Sequence, residues 1–153
     1  MRRRSVGVVL VLGAALAGCD GAIEGGVHGD HESGLASATE AVRQERGAAA
    51  PTWSTCAADA ALARAEALVG EPELTHAPLD DVIADCGVTV AAENLSRAPA
   101  GTPADDVVAA WMDSPGHRSN LLDPELTQVG VGCVEDGEAL LCAQVFLGPP
   151  RGG

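Results

Sequence analysis

Apolar and polar positions divide the chain into an apolar block near its start, a glycine-rich polar stretch, and a longer region of helical and then strand periodicity. Residues 20–36 interleave Gly21, Gly25, Gly26, Gly29 and Gly34 with acids and carry no apolar period, so they read as a tether. Ser37-x-x-Glu40 is a capping-box pattern and Gly47 a natural stop, which predicts a helix over 38–46. Residues 55–69 place Ala58, Ala61, Leu62, Ala65, Leu68 and Val69 at helical spacing, with Gly70 as terminator. Pro78, with Leu79, Val82 and Ile83, opens a short helix that Gly87 closes. Val88 to Ala92, rich in β-branched residues, reads as a strand. Thr102 as N-cap, Pro103 at the first turn and Asp105 and Asp106 at the positive dipole end open the clearest helix. Its apolar stripe is Val107, Val108, Trp111 and Met112. Ser114 to Glu125 reads as an irregular loop, and Val129–Val134 with Ala139–Phe146 as a hairpin. Helices preceding a small sheet, without a repeated βαβ unit, indicate an α+β domain.

The apolar block, Ser5 to Ala17, follows Met1-Arg2-Arg3-Arg4 and is too short to span a bilayer. It ends in Leu16-Ala17-Gly18-Cys19, which resembles a bacterial lipoprotein signal. That resemblance implies removal of residues 1–18 and lipidation of Cys19. Two or three acyl chains anchor stably where one does not. Four segments follow: a signal peptide over 1–18, a lipidated cysteine and tether over 19–36, a folded domain over 37–148, and a flexible tail over 149–153. The expected location is the bacterial cell envelope, extracytoplasmic and lipid-anchored, facing the periplasm or the outer surface.

Charge sharpens this picture. The 153 residues carry 9 basic groups, all arginine, against 22 acids, for a net charge of −13. Losing the three leader arginines takes it to −16. Phosphate-backbone binding needs clustered cations, so nucleic acid is excluded as a partner. An anionic membrane surface also repels such a domain, so attachment falls to the lipid. With only Trp53, Trp111 and Phe146 as aromatics, the core must be filled by Ala, Val and Leu.

Cys56, Cys86, Cys133 and Cys142 remain in the exported domain, where disulfides form. Their spacings of 30, 47 and 9 contain no C-x-x-C, which argues against a zinc cluster. Three pairings are open, and Cys56–Cys86 with Cys133–Cys142 is favoured. The second pair flanks the hairpin turn. An Asp136-Gly137 turn puts Cys133 opposite Leu140; directly opposed cysteines need a longer loop over 136–139, and otherwise the bond runs diagonally.

His76, Glu93 and His117 are the polar groups hardest to explain as core. Two imidazoles and a carboxylate are a ligand set for a divalent metal, or an acid–base pair with an orienting group. Their spacing forms no local motif. His28, Asp30, His31 and Glu32 are also metal-type ligands, but they fall in the tether and read as solvated. Trp53 and Trp111 read as core anchors. Gly130 and Gly132 read as relief of crowding between the sheet and a helix.

A larger pattern appears in order along the chain: Glu40-Ala41-Val42-Arg43, Trp53 before an Ala-rich helix, Leu74-Thr75-His76 and Glu93-Asn94-Leu95. Trp111-Met112-Asp113-Ser114-Pro115-Gly116-His117-Arg118-Ser119-Asn120-Leu121-Leu122, Val129-Gly130-Val131-Gly132 and Ala143-Gln144-Val145-Phe146 complete it. The set resembles the bacterial branch of the CAP superfamily, the SCP-like extracellular domain related to cysteine-rich secretory and pathogenesis-related proteins. The resemblance covers about residues 37–147. It implies an α–β–α sandwich with a central mixed sheet, a C-terminal hairpin and a cleft lined by two histidines and acidic residues.

Carried over, His76, Glu93 and His117 line that cleft and form its metal set, with zinc or another divalent cation as the implied cofactor. Asn94, Asp113, Ser114 and Arg118 support it. The second cleft glutamate of eukaryotic members is missing, and Asp113 stands nearest. The expected function is a monomeric binding domain for a divalent cation, a small hydrophobic ligand or an envelope component. The alternatives are a metal-assisted peptidase with Glu93 as base, and a structural or partner-recognition module. Metal held by neutral imidazoles should bind less tightly as pH falls toward about 5.

Overall fold

The computed structural model describes residues 28–152. The expected signal peptide and the lipidation site Cys19 lie outside them. Among the described residues no helix is long and apolar enough to cross a membrane.

Among the described residues five helices and four strands follow in order: α1 Gly29–Glu45, β1 Thr52–Trp53, α2 Thr55–Ala67, α3 Asp80–Asp85, β2 Ala91–Pro99, α4 Ala104–Asp113, α5 Pro115–Leu122, β3 Gln128–Asp136 and β4 Ala139–Leu147. The strands form one mixed sheet in the order β1-β3-β4-β2, with β1 parallel to β3 and the remaining pairs antiparallel. Strand β4 sorts its side chains by strict alternation. Leu141, Ala143, Val145 and Leu147 join the core under α2 and α3, while Cys142 and Phe146 join the core that contains Leu35 of α1, Trp111 of α4 and Leu121 of α5. The sheet is thus sandwiched between two helical layers, an α+β architecture.

Close approach of α2 to the sheet depends on small residues on both sides. Ala57, Ala61 and Ala65 recur every fourth residue and are fully buried. They sit over Gly130 and Gly132 of β3, where an added Cβ would run into the backbone of Ala57–Ala58 and Ala61–Leu62. The glycines relieve crowding, as their sequence context suggests. Trp111 is buried and donates its indole N–H to Leu95 O at 2.9 Å, joining α4 to β2.

Both expected disulfides are present, Cys56–Cys86 and Cys133–Cys142. Cys133 stands directly opposite Cys142, and Asp136 opposite Ala139. The loop is therefore the two residues Gly137-Glu138, with Gly137 at φ 66 in the first central position. Neither an Asp136-Gly137 turn nor a longer loop is needed, because moving the turn one residue on brings the cysteines into register.

Other expectations are corrected. Helix α1 starts at Gly29, so residues 29–36 are helix and not tether. Ser37 and Glu40 lie mid-helix, with Glu40 bonded to Gln44 at 2.8 Å, and the capping box does not form. Gly47 does end the helix, with Gly47 N–H donating to Gln44 O and Ala48 N–H to Arg43 O. Helix α3 begins at Asp80, after Pro78. At α4 the N-cap is Pro103, while the Thr102 hydroxyl bonds Pro99 O at 2.7 Å. The segment read as a loop from Ser114 contains α5.

The strand expected over Val88–Ala92 lies three residues later. Val88 makes only an isolated bridge to Pro150, whereas β2 pairs along the whole of β4 from Ala91↔Leu147 to Pro99↔Ala139. Burial against an apolar partner strand outweighs the β-branched content of Val88–Val90. The expected flexible tail is also fastened: Arg151 N–H donates to Gly87 O at 2.8 Å and Arg151 Nε to Val88 O at 3.0 Å.

Candidate functional site

Because β2 is an edge strand, loops from both helical layers meet at its open side. Glu93 projects from β2 toward the α2 and α3 layer, and its side chain is 3% exposed. His76, from the loop between α2 and α3, places Nδ1 2.8 Å from Glu93 Oε1, with 54% of its side chain exposed. His117 comes from α5 in the opposite layer. Its ring centre lies 6.3 Å from that of His76, tilted by 59°. Between them opens a pocket of about 440 Å³ lined by both histidines, Glu93, Ser114 and Asn120, with Ala92 and its neighbours as the apolar wall.

Two arrangements hold these groups. Arg64 of α2 donates to the carbonyl of Pro78 and to Asp81 Oδ1 at 3.2 Å, and its Nε lies 3.7 Å from Glu93 Oε2. One guanidinium thus ties the His76 loop to α2 and balances the buried carboxylate. Across the sheet, Asn120 Nδ2 donates to Glu93 O and to Asn94 Oδ1, both at 3.0 Å. Asn94 Nδ2 donates to Gln144 Oε1, and Gln144 Nε2 to Thr39 Oγ1 at 2.8 Å. This chain fixes α5, and hence His117, against β2, β4 and α1.

At the far end of α5, Arg43 is only 1% exposed. Its Nη1 donates to Leu121 O at 3.0 Å and Asp123 O at 3.1 Å, and its Nε to Ala49 O at 2.7 Å. Carbonyls that a helix end leaves without intrahelical partners are satisfied by one side chain. Spacing alone did not mark Arg64, Arg43, Asn120 or Gln144 as supports. Arg43, Asn120 and Gln144 stand within tracts of the family pattern, whereas Arg64 was marked only as a lone arginine in an Ala-rich helix, where a charge on a packed face needs a partner.

The site brings two histidines and one carboxylate to the same pocket. A carboxylate only accepts, so Glu93 fixes Nδ1 of His76 as the donor nitrogen and leaves Nε2 toward the pocket. Of the Glu93 oxygens, Oε1 meets His76, while buried Oε2 has no hydrogen-bond partner and lies 3.7 Å from Arg64 Nε. Among the described residues, His31, Cys133 and Cys142 form the one group of three metal-type side chains with ligand atoms within 4.8 Å of one another. Glu93 thus stands behind His76 and orients its ring. A tetrahedral ion about 2.1 Å from each ring nitrogen sets the ring centres about 5.3 Å apart, so the rings at 6.3 Å must close by about 1 Å to share one. Burial, and then the neighbouring His76, hold the His117 imidazole below its ordinary value near 6.5. That favours the neutral, lone-pair-bearing form.

Asn94 is buried in the polar chain described above, and Ser114 lines the pocket at the N-cap of α5. Asp113 is exposed at the end of α4 and does not line the pocket. Arg118 turns back to Met112 O at 2.9 Å and lines a separate shallow surface with Ser119 and Asp123. Neither lines the pocket among the described residues.

Residues 36–146 match the cysteine-rich secretory protein family, CAP. The chain belongs to the CAP family. Over 70 residues, 44% of the chain and 26% of the relative, it is 41% identical to the uncharacterised protein YkwD of Bacillus subtilis. An extracellular SCP-domain protein of Bacillus anthracis superposes with a TM-score of 0.67 at 23% identity, covering 78% of this chain and 41% of that one. An outer surface protein of Borrelia burgdorferi superposes with a TM-score of 0.66 at 17% identity, covering 80% and 94%. The chain spans about a quarter of the Bacillus subtilis relative and about two fifths of the Bacillus anthracis protein. Likeness at these structural identities shows the shared CAP fold, and the family is one of secreted-type domains.

Proposed function

We propose that this CAP domain is an extracytoplasmic, lipid-anchored binding module whose cleft takes a divalent cation on His76 and His117. The observation that carries this reading is the 2.8 Å contact between His76 Nδ1 and the buried Glu93. Metal-ligating histidines commonly donate their second ring N–H to a carboxylate, which sets the tautomer and raises ligand basicity. His117, kept neutral by burial, supplies the second nitrogen, and the open pocket leaves positions for water or for the donor atom of a ligand. Export of the lipoprotein type, with Cys19 as the acylated residue, fits the oxidised cysteines of the domain. The apolar wall of Ala77, Leu79, Ala91 and Ala92 suits a small hydrophobic or envelope ligand beside the ion.

Peptidase action is the weaker reading. It needs a carboxylate placed to take a proton from metal-bound water, whereas Glu93 is 3% exposed, its Oε1 is bonded to His76 and its Oε2 lies nearest Arg64. A purely structural role fits less well with a histidine whose side chain is 54% exposed.

Zinc titration calorimetry on the oxidised chain from Asp20 onward tests the proposal, alongside His76→Ala and His117→Ala. Stoichiometric binding that both substitutions abolish is expected. Binding that survives both, or no binding at all, overturns it.

A further inference from the structure

The first two turns of α1 lie over the hairpin disulfide. His31, Cys133 and Cys142 place their ligand atoms within 4.8 Å of one another, and both cysteines are buried. Next to them Glu32, itself 5% exposed, accepts the Cys133 backbone N–H at 2.9 Å. Strand β1 pairs with β3 only at Gln128 and Val129, so among the described residues the edge of β3 has no strand partner at Cys133, where Glu32 caps it. Helix α1 is thus fixed to this edge by a bond that does not involve the sulfurs.

As a disulfide the two sulfurs have no thiolate to offer a metal. We propose that reduction converts this place into a second metal site, with Cys133, Cys142 and His31 as ligands to a thiophilic divalent ion such as zinc. The required reductant is a dithiol. One of its thiolates attacks a sulfur of the Cys133–Cys142 bond, forming a mixed disulfide and releasing the other cysteine as thiolate. Its second thiol then attacks the mixed disulfide and releases the remaining cysteine. Two electrons and two protons pass from the dithiol to the protein, and the dithiol leaves as a disulfide. Ion binding then displaces the proton from each cysteine thiol.

Geometry favours three ligands over two. In a tetrahedral zinc site, thiolate sulfurs stand about 3.8 Å apart and a sulfur and an imidazole nitrogen about 3.5 Å apart. The cysteines face each other across neighbouring strands at a Cα separation of 4.2 Å, so a side-chain rotation opens that spacing without moving the backbone. The ladder from Gln128↔Leu147 to Asp136↔Ala139 holds the register once the bond is gone. His31 already covers the sulfurs from α1. Burial and then His28 keep it below its ordinary value near 6.5, against a smaller raising effect of Glu32. Three protein ligands leave a fourth position for water. The other cystine, Cys56–Cys86, has no third metal-type ligand gathered beside it among the described residues.

The test titrates cobalt(II) into the full mature chain after anaerobic reduction and removal of the reductant, following thiolate-to-cobalt absorption and far-ultraviolet circular dichroism. One equivalent is expected to bind with a thiolate band, and the oxidised chain is expected to show none. His31→Ala should weaken binding by more than the roughly tenfold to hundredfold that losing an outer ligand partner costs. Cys133→Ser with Cys142→Ser should abolish the band, and His117→Ala should leave it intact. A band that persists in the double serine variant overturns the proposal, as does one indifferent to His31→Ala. Loss of helical signal on reduction with cobalt present overturns it as well. His117→Ala separates this site from the cleft, so either can fail alone.

Discussion

At the scale of single residues, Glu93 is the pivot of the cleft. Its burial is tolerable only because His76 and Arg64 face its two oxygens. Glu93→Gln keeps the shape but offers His76 a weaker acceptor, so zinc affinity should fall roughly tenfold to hundredfold by calorimetry while the fold persists. His117 and His31 give a pH signature. Both sit below the ordinary histidine value, so the folded chain binds fewer protons than the unfolded one around and below pH 6.5. Their contribution is present above about pH 6.5 and is lost as pH falls through the folded values. Urea midpoints of the metal-free protein should therefore drop between about pH 7 and about pH 5. The drop should be smaller when both histidines are replaced by glutamine. His76, Glu93 and His117 stood out in the sequence as polar groups hard to explain as core, but their spacing makes no motif and the family resemblance was what joined them in one cleft. Arg64 was not legible, because its partners come from a loop and a strand that only the fold brings near.

Among the elements, the contact of α2 with the sheet is the most exacting. Gly132→Ala should destabilise the domain by about 1–3 kcal/mol in denaturant unfolding, because the added methyl meets helix backbone rather than a flexible side chain. Elements with a strong period were legible: α2, the stripe of α4 and the hairpin with its cystine. Those that failed did so for identifiable reasons. Helix α5 has Pro115-Gly116 at its start and only Leu121 fully buried, so it shows no apolar period. The first turns of α1 bury Glu32 and Leu35 among glycines and polar residues, and composition pointed to a linker. Strand β2 carries Glu93, Asn94, Ser96 and Arg97, and its strand state comes from pairing with β4, not from its own propensity.

For the molecule as a whole, the cleft exists because two helical layers are tied across one sheet edge. Arg43 joins the C-terminal ends of α1 and α5, and the chain from Asn120 to Thr39 joins α5 to α1 through the sheet. Arg43→Leu leaves three carbonyls without their donor and should cost about 3 kcal/mol or more in unfolding free energy. The same change should weaken zinc binding by loosening α5 beneath His117. The most direct measurement of the central claim is X-ray absorption at the zinc edge on the oxidised protein loaded with one equivalent. The account predicts an ion with two imidazole ligands, nitrogen or oxygen elsewhere and no sulfur, and one imidazole fewer in His117→Ala. Sulfur at the zinc, or an imidazole count that His117→Ala leaves unchanged, would contradict it.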